Sequence, residues 1–205
     1  MSFLEIALIG DTETGKTSLL KTFTGSVFKE YELVTIGIIF YIKTIKSSDN
    51  LEYKLKIFDT AGCEQYRSMS LHILIKCKGA ILVYSIDDKS SFENIKNIWI
   101  NDINIYNLKI PIVLVGNKKD LEIERIISEE EGRKIAEENN FSFFETSAKT
   151  GENINQIFEK LVEIIPNDIK EKYANNNIKN NNKKNNYNNK KNNDKIDKEG
   201  KCIII

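Results

Sequence analysis

Gly10 to Thr17 reads GDTETGKT, a G-x-x-x-x-G-K-[ST] run set between an apolar strand pattern, FLEIALIG, and a helical pattern beginning at Lys16. Few short stretches limit a fold so strongly. Gly15 permits a backbone turn whose N–H groups converge on phosphate oxygens, backed by the positive end of the helix that follows. Lys16 brings a point charge to the outer phosphates, and the Thr17 hydroxyl can ligate Mg²⁺. The motif alone leaves adenine and guanine nucleotides equally open.

Downstream, apolar β-rich runs alternate with helical periods. IGIIFYIKTIK and LEYKLKIFD make two strands around the polar turn SSDN, and GAILVYSI, IPIVLVGNK and FSFFETSA supply three more. The continuous apolar runs suit central parallel strands covered on both faces. Phe92, Ile95, Ile98, Trp99 and Ile103 follow helical spacing in SSFENIKNIWINDINIYN; SEEEGRKIAEENN has a capping-type start, and NINQIFEKLVEII is the last helix. Such alternation predicts a doubly wound α/β fold, a mostly parallel six-stranded sheet with helices on both faces and ligands at the carboxyl ends of its strands.

The base motif separates the nucleotides. NKKD, Asn117 to Asp120, ends the strand IPIVLVG. The Asp120 carboxylate can accept from the ring N–H and the amino group of guanine, whereas adenine would leave a buried charge unpaired. Such a mismatch costs several kcal/mol, roughly 10⁴-fold in discrimination. ETSAK, Glu145 to Lys149, ends the next strand, where a backbone N–H can meet the guanine carbonyl. An ATPase or kinase reading fails on Asp120 and on the lack of an acceptor-binding domain.

With these motifs in this order, the chain resembles the Ras superfamily of small GTPases, and within it the Rab proteins, over residues 3 to 166. TIGIIF, SSFENIKNIW and SAKTGENINQIFEKLVEIIP are similar to the Rab first switch, third helix and closing segment. The resemblance implies a P-loop NTPase G domain that binds GTP or GDP with Mg²⁺ and hydrolyses GTP. It implies nucleotide contacts from Glu13, Thr14, Gly15, Lys16, Thr17 and Ser18, from Phe28 and Thr35, from Gly62, and from Asn117, Lys118, Asp120, Ser147, Ala148 and Lys149. By the same resemblance Thr17, Thr35 and Asp59 would serve Mg²⁺, and Lys16, Thr35 and position 63 would carry the catalysis. Loss of the γ-phosphate would release both switch loops. The partners implied are an exchange factor, a GTPase-activating protein, effectors, a prenyltransferase and a prenyl-binding dissociation inhibitor. No nucleic-acid partner is expected, and the protein is expected to be a monomer acting in vesicle traffic.

Three features depart from that pattern. Glu13 stands where the family has glycine or another small residue, and its carboxylate next to a polyphosphate is repulsive, so somewhat weaker nucleotide affinity is expected. Cys63 replaces the glutamine that orients the attacking water. A thiol donates and accepts weakly, so intrinsic hydrolysis should be slow unless an activating protein supplies the missing groups. The rival reading is a GTP-locked module that recruits effectors. SMSLHILIKCKGA, residues 68 to 80, is more apolar than the usual second switch; Ile73 to Ile75 are expected to pack beneath it, the alternative being an exposed apolar turn that binds a partner. Cys63, His72 and Cys77 fit no common zinc spacing.

Composition changes near Pro166. Residues 175 to 193 hold twelve asparagines and five lysines, too little apolar surface to offset ordering entropy. Residues 1–166 are therefore expected to form the G domain and 167–205 a disordered Asn/Lys-rich tail. Residues 167–201 carry ten lysines against five acids, +5 balanced by −5 elsewhere. The ending KCIII makes Cys202 a C-a-a-X prenylation candidate, with the lysines as a second membrane signal. The opening shows no basic leader, and the three cysteines form no disulfide pattern. The expected place is the cytoplasmic face of an intracellular membrane, in exchange with cytosol.

Overall fold

The computed structural model describes residues 3–47 and 51–173. Its sheet runs β2-β3-β1-β4-β5-β6, from β1 (Leu4–Ile9), β2 (Ile38–Lys46), β3 (Glu52–Thr60), β4 (Ala80–Ser85), β5 (Ile112–Asn117) and β6 (Ser142–Glu145). The β2–β3 pair is antiparallel, and the other neighbours are parallel. The doubly wound, mostly parallel six-stranded sheet expected from the alternation is the one observed. Of the SSDN turn, residues 48–50 lie outside the described residues.

Side chains alternate across each central strand and so build two cores. Leu4, Ile6 and Leu8 of β1 pack on one face with α1 (Lys16–Phe23) and α6 (Ile154–Ile164). Ala7 and Ile9 face the other way, toward α2 (Arg67–Leu74), α5 (Glu129–Glu138) and the third helical stretch. Every residue of β4 and β5 is buried, because helices cover both sides. At α5 the Ser128 hydroxyl accepts from the Glu131 N–H while the Glu131 carboxylate accepts from the Ser128 N–H, closing the anticipated capping box.

Three departures have local causes. The stretch read as one helix is divided into α3 (Lys89–Asn94), a π-helical segment (Ile95–Ile100) and α4 (Asn101–Ile105). Residues 67–74 form α2, for which no helix was expected; Leu74 is fully buried, Ile73 packs against the second core, and Ile75 stays 48% exposed. Packing beneath the switch thus holds for the first two of Ile73 to Ile75 and not the third. Beyond Pro166 the backbone is helical over 167–173, with Ile169 and Tyr173 against the first core, so packed chain continues past the boundary expected at 166. The Asn-rich run and Cys202 lie outside the described residues.

Gly132 of α5 sits where no side chain fits. A Cβ there would come 2.3 Å from the Tyr84 hydroxyl oxygen and 2.7 Å from the Phe143 ring. Tyr84 cannot yield easily, being buried on β4 with Phe92 packed 4.9 Å away. Gly132→Ala would gain about 1 kcal/mol of helix propensity and lose about 1–3 kcal/mol to overpacking. The expected result is a net loss, read as a lower urea midpoint; an equal or higher midpoint would mean α5 can slide away from Tyr84.

Candidate functional site

The carboxyl ends of β1, β3, β5 and β6 open onto a cleft of about 440 Å³, within the usual size for a small-molecule site. One wall is the loop between β1 and α1, and another is the two loops that follow β5 and β6. The third side is covered by Phe28 to Thr35.

The loop geometry follows from the glycines and their neighbours. Gly15 caps α1 at φ +85°, and a Cβ there would lie 2.3 Å from the Asn117 amide nitrogen. That amide, buried at 1% exposure, donates to the Thr14 carbonyl at 2.9 Å and accepts from the Thr146 hydroxyl at 3.0 Å. Asn117 thereby ties all three loops together. Lys16, 5% exposed, donates from its ammonium to the Asp11 carbonyl. Burial pulls its pKa down to about 8, against the raising influence of Asp59 and Asp11.

A second cluster gathers oxygens. The Thr17 hydroxyl donates to Asp59 Oδ2 at 2.7 Å and lies 2.8 Å from the Thr35 hydroxyl. Asp59 is fully buried, and its Oδ1 has no hydrogen-bond partner among the described residues. Burial raises the Asp59 pKa, opposed by the Thr17 hydrogen bond and by Lys16. An orphaned buried carboxylate oxygen beside two hydroxyls is a donor set suited to a hard divalent cation such as Mg²⁺. Thr35, nineteen positions beyond the helix start at Lys16, is brought here from an irregular loop that only the resemblance had pointed to.

At the base end, the Ser147 hydroxyl donates to Asp120 at 2.5 Å, holding that carboxylate at the rim of the cleft. Lys118 adopts φ +65° and pairs with Asp87 at 3.5 Å. Phe28, Lys118, Ala148 and Lys149 line the cleft with Asn117 and Asp120, while Thr14 and Ser147 stand behind the lining, fully buried. Arg125 was not anticipated. It bonds both oxygens of Glu145, at 2.6 and 2.8 Å, and the Ile127 carbonyl, bracing the ETSAK loop from outside. Its only signal in the sequence is an arginine twenty residues before a glutamate, which no local pattern singles out.

At the phosphate end, Gly62 lies flat on the Asp11–Thr12 peptide, where a Cβ would come within 2.3 Å of backbone atoms. Next to it the Thr12 hydroxyl donates to the Cys63 sulfur at 3.6 Å. Cys77 instead belongs to the second core, where burial pushes its thiol up to about 12.

A phosphate-loop turn, a carboxylate at the base end and an oxygen cluster, carried on a doubly wound sheet, define a G domain of the P-loop GTPase class. The Ras family model matches residues 5–167. The chain is 37% identical to the Ras-related protein Rab-1 of Theileria parva over 172 residues, 83% of this chain and 78% of that protein. It is 39% identical to the Ras-related protein Rab-3D of Mus musculus over 168 residues, 82% and 76% of the two chains. Against the Ras-related protein SEC4 of Candida albicans it is 38% identical over 176 residues, 85% and 81%. The chain belongs to the Ras family, among the Rab-type small GTPases that hydrolyse GTP to GDP.

Glu13 occupies φ +63° with its side chain exposed at the cleft mouth. That left-handed conformation costs a side-chain-bearing residue about 1–2 kcal/mol, against about 0.5–1 kcal/mol of unfolded-state entropy for glycine. Steric strain is thus a second penalty beside the charge. Glu13→Gly should raise the thermal midpoint and slow GDP release several-fold, measured by displacement of a fluorescent GDP. Release as fast as in the parent would show that neither strain nor charge at this position bears on the nucleotide.

Proposed function

We propose that residues 1–166 act as a Mg²⁺-dependent GTP/GDP switch of vesicle traffic whose intrinsic hydrolysis is slow, and that residues 167–205 tether it to a membrane through prenylated Cys202. The nucleotide would be held by Glu13 to Ser18, Phe28, Thr35, Gly62, Asn117, Lys118, Asp120, Ser147, Ala148 and Lys149. Thr17, Thr35 and Asp59 would hold Mg²⁺, which when bound neutralises charge on the outer phosphates. Lys16 would set its ammonium against the same charge, and the Asp120 carboxylate would accept the two guanine donors.

The observation that carries the slow-hydrolysis reading is the contact between Thr12 and Cys63. The sulfur of Cys63 is already engaged by the Thr12 hydroxyl, and a thiol donates and accepts only weakly. Little remains at position 63 to accept from an attacking water and donate to the transferring group at once. The same contact favours a second reading, a GTP-locked module that recruits effectors with negligible turnover. In either reading an exchange factor and effectors meet the loop from Val27 to Ile36, where Val27, Tyr31, Leu33, Val34 and Ile36 are all more than half exposed. A GTPase-activating protein would supply the missing groups in the first reading only. A prenyltransferase and a prenyl-binding dissociation inhibitor would handle Cys202 and carry the protein between cytosol and the cytoplasmic face of its membrane.

Single-turnover hydrolysis of GTP loaded on purified protein distinguishes the readings. Cys63→Gln should raise the intrinsic rate by on the order of tenfold, about 1.4 kcal/mol of barrier, and an added Rab-activating catalytic domain should accelerate the unaltered protein. If the parent stays GTP-bound with that domain present, the slow-switch reading fails and the locked module stands.

A further inference from the structure

The Asp11 side chain, in the phosphate loop, is turned to the third helical stretch and does not line the cleft. Its Oδ1 accepts from the indole N–H of Trp99 at 2.8 Å, and its Oδ2 accepts from the Asn94 amide at 2.6 Å. Trp99 is 2% exposed and is the only tryptophan in the chain. The Asp11 backbone is engaged at the same time, since its carbonyl accepts from Lys16 and its peptide supports Gly62. One residue therefore touches the third helical stretch, the phosphate-loop lysine and the second switch.

The π-helical segment makes this contact possible. Asn94 and Trp99 are five positions apart. In a regular α-helix five residues advance 500°, about 140° around the axis, so the two side chains would face different neighbours. A π turn bonds i to i+5 and stacks such residues on one side. The segment Ile95–Ile100 begins directly after Asn94 and contains Trp99. Its distortion brings both donors to one carboxylate while Ile95 and Ile100 stay buried in the second core.

We propose that Asp11, Asn94 and Trp99 are positioning residues that anchor the phosphate loop to the third helix, set how long guanine nucleotide is retained, and make Trp99 a reporter of nucleotide state. The proposal rests on the guanine-nucleotide reading given above. Hydrogen bonds to a carboxylate are among the stronger kind, and this pair restrains the loop whose N–H groups would face the phosphates. Gly62 rests on the Asp11–Thr12 peptide, so movement of the second switch changes the surroundings of the indole.

The test uses full-length protein loaded with fluorescent GDP, with release measured only on loaded molecules so that a change in folded fraction leaves the rate untouched. Trp99→Phe keeps an aromatic ring, though a smaller one, and removes the N–H donor; Asn94→Ala alters a half-buried site outside the core. Each should speed release, Trp99→Phe by about tenfold, and Trp99→Phe combined with Asp11→Asn should release no faster than the faster single variant. In the unaltered protein, tryptophan emission should differ between GDP and a non-hydrolysable GTP analogue, and the difference should shrink in Asp11→Asn. Release within twofold of the parent in both Trp99→Phe and Asn94→Ala, or emission identical in the two states, overturns the anchor while leaving the switch intact. A parent protein that binds no guanine nucleotide removes the functional reading itself, and the anchor with it.

Discussion

Asn117 carries the hydrogen bonds on which the nucleotide site depends. Its amide nitrogen holds the Thr14 carbonyl of the phosphate loop, and its amide oxygen holds the Thr146 hydroxyl at the end of β6. Both bonds are buried, so losing either partner would strand a polar group away from water at a cost of about 1–3 kcal/mol. Three loops, the first of them 103 residues before Asn117 and the last 29 residues after it, are thereby set in one arrangement. Gly15 is glycine for the same reason, since any Cβ would collide with that amide. The base motif is thus structural as much as chemical: Asn117 holds the loops, and Asp120 presents a carboxylate to the cleft.

The switch layer rests on looser contacts, as a state-dependent layer must. Thr35 reaches Thr17 through one hydroxyl contact, and its loop carries an ion pair from Glu32 to Lys21. Gly62 contacts the phosphate loop through backbone alone, and Cys63 through one weak hydrogen bond to sulfur. Beneath them lie the two cores and the fully buried strands β4 and β5. A γ-phosphate would therefore act on elements held by few interactions. Of the three departures from the family pattern, Cys63 falls in this layer, Glu13 stands on the phosphate loop, and residues 68–80 reach the second core through Leu71, Leu74 and Cys77.

Much of the fold was legible because its signals are local. Six apolar strand runs, the Ser128 cap and the Gly15–Lys16 turn each read correctly over a few residues. The π segment was not legible, because Phe92, Ile95, Ile98, Trp99 and Ile103 match a regular helix just as well; only the reach of Asn94 and Trp99 to Asp11 separates the two geometries. Helix α2 was missed because its buried residues, Ser70, Leu71 and Leu74, make too short a pattern. The packed residues of 167–173 were missed because Ile169 and Tyr173 are two apolar positions in a polar stretch, and their value depends on the first core beneath them.

The sequence by itself determined the phosphate-loop turn, the Asp120 carboxylate after β5, the order of strands along the chain and the family. Each of these depends on residue types at short fixed spacing, where backbone chemistry leaves one workable arrangement. Tertiary structure decided what distant residues do for one another: that Asn117 ties three loops, that Arg125 braces Glu145, that Asp59 keeps a free oxygen next to Thr17 and Thr35, and that Asp11 faces a helix rather than the cleft. Those outcomes depend on which side chains the sheet brings within about 3 Å, the reach of a hydrogen bond. Spacing along the chain carries no record of that distance.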